Sequence, residues 1–383
     1  MRRLALLAAL AVAAVAAAPA QARDRWDTKV LALVPTPGFP AHAYVAPNGR
    51  VYEGTYTNPN GDTVPSRVFE YDGEGTLVRS WTVRGQNLGQ AHGVQVATSD
   101  GDGRLVLLDK SPPRAVLLDP RTGDQTEYAK FPDGSIPNYA AWGPDFSLYV
   151  TDYAQAVLWR IPPGGGAPPE QWLADPRLDG GEFGTTGIEL GPDQRTLYVA
   201  VQSQAGGASG NPSTGRLFTV PIQPDGKPGE MTQLWESRPA DGPDGFGIAR
   251  SGTIYMSLLA SNQLAAIDPQ GVEKERFPSA PGGGANGSAV PFDGPSNASF
   301  LGTRVMVANQ SYFSGDRTHH AILDVETGEE GLPELVPPAT RVETPPTAKP
   351  KKRWSCKRYK SRKKRRACRK TMARRRAAAR RRG

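Results

Sequence analysis

The chain has 383 residues, a formal net charge of +8, and 43 glycines with 36 prolines. That length allows one large domain or two ordinary ones, and so many turn-forming residues without a long amphipathic period exclude a helical bundle and favour many short strands. The charge is an average over unlike parts: residues 349–383 hold 20 Lys or Arg and no acid, which leaves 26 basic against 38 acidic residues elsewhere.

Residues 1–22, MRRLALLAALAVAAVAAAPAQA, have two arginines, an apolar Leu/Ala/Val stretch and an ending Ala20-Gln21-Ala22. This is the layout of a secretory signal cut before Arg23, and the apolar stretch is at the short end for a membrane span. The segment predicts an exported protein, and no later run is long enough for a transmembrane helix. Next comes DTKVLALVP (27–35), a single strand-like stretch that stands ahead of a repeat.

The repeat is carried by six apolar octets: GRVYEGTY (49–56), GRLVLLDK (103–110), FSLYVTDY (146–153), RTLYVAVQ (195–202), GTIYMSLL (252–259) and TRVMVANQ (303–310). Their starts lie 54, 43, 49, 57 and 51 residues apart, close to the period of four-stranded propeller blades. Each is followed by a second strand-like segment, and most of these end in an Asp, Pro or Gly turn. The octets are nearly continuous in apolar residues because a blade is covered on both faces. The fold class predicted is all-β, a six-bladed β-propeller over residues 23–336. The strand at 27–35 would complete the last blade and remove an open edge, closing the ring without a disulfide.

In such a ring, residues at the starts of the innermost strands converge on the central channel. Reading back from each octet gives His42, His92, Asn138, Thr186, Asp244 and Asn297, all polar in apolar surroundings. They are the candidate site, against the alternative that they only satisfy loop backbone or channel water. His42, His92 and Asp244 together suit zinc or another nitrogen-accepting ion better than calcium. A metal-free site could use His42 or His92 as a base. Glycine-rich stretches at 162–169, 205–215 and 280–296 precede no helix that could present its N-terminus to a phosphate, and read as loops. There is no G-x-S-x-G elbow.

A Pro-rich linker (337–350) leads to the basic tail (351–383). So dense a positive field is expected to be disordered when free and to bind polyanions, with anionic cell-envelope polymers favoured over nucleic acid in an exported protein. Cys356 and Cys368, the only cysteines, could pair in an oxidising compartment.

The segments PNYAAWGPDFSLYVTD, GIELGPDQRTLYVA and PDGFGIARSGTIYMS resemble the senescence marker protein, gluconolactonase and regucalcin-like superfamily of six-bladed propellers. That resemblance spans roughly residues 27–336. It implies a divalent cation, zinc or calcium, at the channel mouth, with Asp244 as metal ligand and general base and Asn138 touching substrate. Thr186 and His42 stand where the family has Asn and Glu. The expectation is a monomeric, metal-dependent hydrolase of small lactones or esters, with metal ligands Asp244, His42 and His92 and substrate contacts Asn138, Asn297 and Thr186. The competing reading is a non-catalytic ligand-binding or envelope-scaffold propeller.

Overall fold

The computed structural model describes residues 23–56, 63–181, 183–203 and 213–338. The expected signal segment, most of the Pro-rich linker and the tail with its two cysteines lie outside the described residues.

The octets are the second strands of six four-stranded antiparallel sheets. In blade 2, Leu105, Val106, Leu107 and Leu108 are all fully buried, while the outermost strand of blade 1, Leu77–Thr82, is mostly exposed. The continuous apolar signal therefore marks the strands flanked by other strands within a blade and by other blades on both faces. Hairpins close on aspartates used as turn acceptors: Asp72 Oδ1 takes the Thr76 amide at 2.8 Å and Asp268 Oδ1 the Val272 amide at 2.8 Å. Among the described residues the only helical turns are the short 3₁₀ segments Pro176–Leu178 and Arg317–His319. No helix among them is long and apolar enough to cross a membrane.

Among the described residues there is no single central core. Six apolar clusters fill the six interfaces between adjacent blades. One joins Tyr128, Phe131 and Trp142 between blades 2 and 3, and another joins Ala43, Phe69 and Met306 between blades 1 and 6.

The ring closes as the sequence predicts. Thr28–Leu33 is the outer strand of blade 6, antiparallel to Ala321–Glu326, with Thr28 opposite Val325 and Leu33 opposite Ala321. Beyond that last strand, the chain turns under the channel. The Leu332 amide donates to the Ile248 carbonyl in blade 5 and the Gly101 amide in blade 2 donates to the Pro337 carbonyl, both at 2.8 Å. Blades 5 and 2 stand opposite each other in a six-membered ring, so this segment crosses the axis.

Candidate functional site

Strand pairing aligns the blades independently of sequence spacing. Pro40, Val94, Pro137, Thr185, Pro243 and Pro295 on the inner strands lie opposite Thr55, Asp109, Asp152, Val201, Leu258 and Asn309 on the second strands. One step further along the inner strands, the equivalent positions are Ala41, Gln95, Asn138, Thr186, Asp244 and Ser296. One step further along the second strands from those partners are Tyr56, Lys110, Tyr153, Gln202, Leu259 and Gln310. All six of the latter, with Ala41, Gln95, Asn138 and Asp244, line a cavity of about 370 Å³ where the inner strands begin.

Its lip is aromatic. Phe39 and Tyr312 sit 5.7 Å apart, Tyr312 and Phe313 5.3 Å, and Phe183 and Phe313 6.4 Å, measured between ring centroids. Tyr312 and Phe313 are 42% and 54% exposed. Large apolar rings left in water around a polar floor are the usual anatomy of a small-ligand site.

Asp244 is the acid of that floor. It is buried, and burial pushes its carboxyl up to about 8, although the Tyr139 hydroxyl at 3.1 Å and the Gly245 backbone favour the ionised form. The Tyr139 hydroxyl also lies 2.7 Å from the Ser296 carbonyl. Its one proton is thus shared between that carbonyl and Asp244 Oδ1, so the hydroxyl only partly offsets the burial of an ionised Asp244. Asn138 is held by Gln95, whose Nε2 donates to Asn138 Oδ1 at 2.8 Å. Gln95 Oε1 and the Tyr56 hydroxyl are buried atoms with no hydrogen-bond partner. Lys110 adds an amine, over the Tyr56 ring at 5.9 Å, and burial lowers its pKa.

The structure brings Asp244, Asn138 and His92 to this cavity and places the other three expected residues elsewhere. His42 and Asn297 lie one residue beyond the in-phase ring, at the level of Tyr139, where they fill the channel. There His42 stacks on Tyr139 at 4.8 Å between centroids. The same level in blade 5 is Gly245, where a Cβ would fall 2.7 Å from the Tyr139 ring, so glycine makes room for the plug. Asn297 is spent on backbone, bridging blades 6 and 1 through the Ala43 amide at 3.1 Å and the Ala43 carbonyl at 3.0 Å. Thr186 is in phase, yet its hydroxyl lies against the carbonyls of Ala200, Pro243 and Asp244 at 3.3–3.4 Å. His92 precedes the ring by three residues, and its two ring nitrogens lie 2.9 and 2.8 Å from the carbonyls of Gln90 and Val64.

These placements bear on the metal. Among the described residues no three His, Cys, Asp or Glu side chains converge. The cavity offers one carboxylate, a histidine whose nitrogens face carbonyl oxygens, and a lysine amine in the same wall. Zinc needs three or four nitrogen, sulfur or carboxylate donors and calcium six or more oxygens. This donor set does not fit either ion, because His42, the third expected ligand, points into the plug.

No protein-family model and no curated protein matches this sequence. Solved structures do match. A candidate gluconolactonase superposes with a TM-score of 0.56 at 16% identity, covering 80% of this chain and 94% of its own. Regucalcin from Agrobacterium tumefaciens, described as a calcium-binding protein, gives 0.54 at 16% identity over 82% and 99%. A luciferin-regenerating enzyme gives 0.54 at 12% identity over 79% and 95%. The fold is the six-bladed propeller that these structures share. At such identities the likeness shows the fold alone, and the chemistry has to be argued from the chain's own cavity.

Burial raises several acids besides Asp244: Glu53 to about 8, with the Ala41 and His42 amides on its Oε1, and Glu334 to about 7. A folded state that holds these protons binds more of them than the unfolded chain between pH 4 and 8, so stability is expected to fall as the pH rises through that window. Melting curves from pH 5 to 9 check this. Glu53→Gln should flatten the decline by a few kcal/mol at the alkaline end, and a melt that rises with pH would exclude these protonated acids.

Proposed function

We propose that the protein is an exported hydrolase of small lactones or esters that binds its ligand in the aromatic-lipped cavity and uses Asp244 for proton transfer. The observation that carries this reading is a buried carboxyl whose pKa burial pushes up to about 8, on the floor of a cavity whose walls hold the unpartnered Gln95 Oε1 and Tyr56 hydroxyl together with the Lys110 amine. The gluconolactonase among the fold's neighbours supports the substrate class.

In this mechanism the ionised Asp244 takes a proton from water as the water oxygen bonds to the ester carbonyl carbon. The Lys110 ammonium faces the oxygen that gains negative charge. When the ester C–O bond breaks, Asp244 returns the proton to the departing alkoxide. Gln95 Oε1 accepts from a substrate hydroxyl, and the aromatic lip covers the apolar side of the ring. No step requires the metal that the sequence suggested. Hydrolysis of a panel of aldonolactones and simple esters, run with and without chelator, tests the reading. Chelator-insensitive turnover is expected, and a protein that binds panel members without hydrolysing any is a ligand-binding propeller instead.

Export rests on residues 1–22, and retention at the envelope rests on the tail. Cutting the chain after Pro350 is expected to remove binding to anionic polymers at low salt and leave the melt of the propeller unchanged, since neutralised phosphates or carboxylates and released counterions supply that binding. Equal retention of the cut and full-length chains would remove the tail from this role.

A further inference from the structure

The opposite end of the channel holds a second cavity, of about 360 Å³, on the far side of the His42–Tyr139 plug from Asp244. Its floor is the segment that crosses the axis from blade 5 to blade 2, which contributes Glu334. Three carboxylates line it, Glu189 and Glu334 inside and the exposed Glu330, 3.8 Å from Arg250, at the rim, and no lysine or arginine lines it. Glu334 accepts from the Tyr44 hydroxyl at 2.8 Å and from Thr98. No described group donates a hydrogen bond to Glu189, and burial together with the Glu334 charge pushes its carboxyl up.

An independent feature points into the same space. His42 is only 7% exposed, lines this cavity, and its Nδ1 has no hydrogen-bond partner. Burial holds the imidazole neutral, down to about 3, so it adds no positive charge to balance the two acids. An acid without a donor, as Glu189 is among the described groups, and an unsatisfied buried nitrogen are costly unless something pairs with them. Apart from Ser299 and the exposed Glu330, the rest of the wall is largely apolar, from Leu190 to Leu301 and Trp142, which suits neither the hydration nor the six or more oxygens of a divalent ion. It suits a cation with a hydrocarbon body.

We propose that this second cavity is a binding site for a small organic ammonium ion, held between the Glu189 and Glu334 carboxylates, with His42 as a further polar contact and Tyr44 and Trp142 against its alkyl part. Aromatic walls add attraction for such a cation. The site is separate from the hydrolytic reading, since Asp244 lies beyond the plug.

The test is calorimetric titration of the full-length protein with n-butylammonium, with 1-butanol and calcium as comparisons. Saturable binding of one butylammonium per chain is expected, with no saturation by 1-butanol. Glu189→Gln and Glu334→Gln should each weaken it by at least about tenfold, the effect of losing one charge-assisted hydrogen bond, and Asp244→Asn should leave it unchanged. Glutamine preserves shape, and melting curves confirm that each single variant is folded. Absence of saturable binding to the wild type, unchanged affinity in both glutamine variants, loss of binding in Asp244→Asn, or saturable binding of calcium but not butylammonium would each overturn the proposal.

Discussion

Asp244→Asn is expected to lower lactone or ester hydrolysis by about 10²–10⁴-fold, the usual contribution of a positioned acid–base group. The change keeps the size and hydrogen-bonding capacity of the side chain beside Tyr139 and removes only its titration. In the wild type, burial holds the carboxyl near 8, so a base mechanism predicts kcat/KM that rises with pH and levels off near that value. The variant should lose the rise and keep a flat residual rate. Stability supplies a second readout with a definite sign. Below about pH 4 both side chains are neutral in the folded and the unfolded chain, and the two proteins should melt alike. From there to about pH 8 the folded wild type keeps a proton that the unfolded chain gives up, so the wild type loses stability that Asn does not, and the variant should melt increasingly higher, with the full gap reached above about pH 8. A variant with wild-type turnover would exclude Asp244 as the proton-transfer group. A variant that melts lower at every pH would show that the carboxylate is needed to hold loop backbone.

The fold was legible because its signal is redundant. Six octets buried on both faces repeat at blade spacing, and the strand at 27–35 has no partner unless it joins the last blade. The site was less legible because it depends on single-residue phase. Counting back from the octets crosses hairpins of different length and a bulge in the inner strands, between Pro40 and His42 in blade 1 and between Pro243 and Phe246 in blade 5. One residue of slip moves a side chain from the cavity to the plug, which is how His42 and Asn297 entered the expected set and Gln95 was left out. Asp244 and Asn138 each directly follow a proline at that register position, whereas after Pro40 and Pro295 the count ran one residue further, to His42 and Asn297. A stronger signal stood in the octets themselves. Their last letters, Tyr56, Lys110, Tyr153, Gln202, Leu259 and Gln310, need no counting across a turn, and all six face the cavity. Five of the six carry a polar group at the end of an otherwise apolar strand, a pattern that burial alone does not explain.

Deleting residues 27–35 is expected to abolish the cooperative melt, because closure is concentrated in this one strand. It supplies the outer edge of blade 6 against Ala321–Glu326, and the Val34 amide extends the pairing to the His320 carbonyl at 2.9 Å. Val34 is buried in the cluster between blades 6 and 1, and Val30 packs on the one between blades 5 and 6. The strand also anchors what precedes it. Trp26 stacks on Phe277 of blade 5 at 5.2 Å, and Arg23 pairs with the buried Asp324 at 2.6 Å. At ~1 kcal/mol for each ladder hydrogen bond and ~2 kcal/mol for each buried large apolar side chain, the loss is on the order of the whole 5–15 kcal/mol that holds a domain folded. It would also uncover the Ala321–Glu326 edge, a template for pairing with another chain. Milder damage separates the two effects. Val34→Asp leaves the chain length and most of the ladder intact but places an unpaired charge in the blade 6–blade 1 cluster, and should lower stability by about 3 kcal/mol or more. Deletion should give aggregation and a broad, non-cooperative thermal transition by circular dichroism, whereas Val34→Asp should give a cooperative transition at lower temperature. A truncated chain that melts like the full-length protein would show that the ring closes through the inner strands and the Asn297 bridge alone.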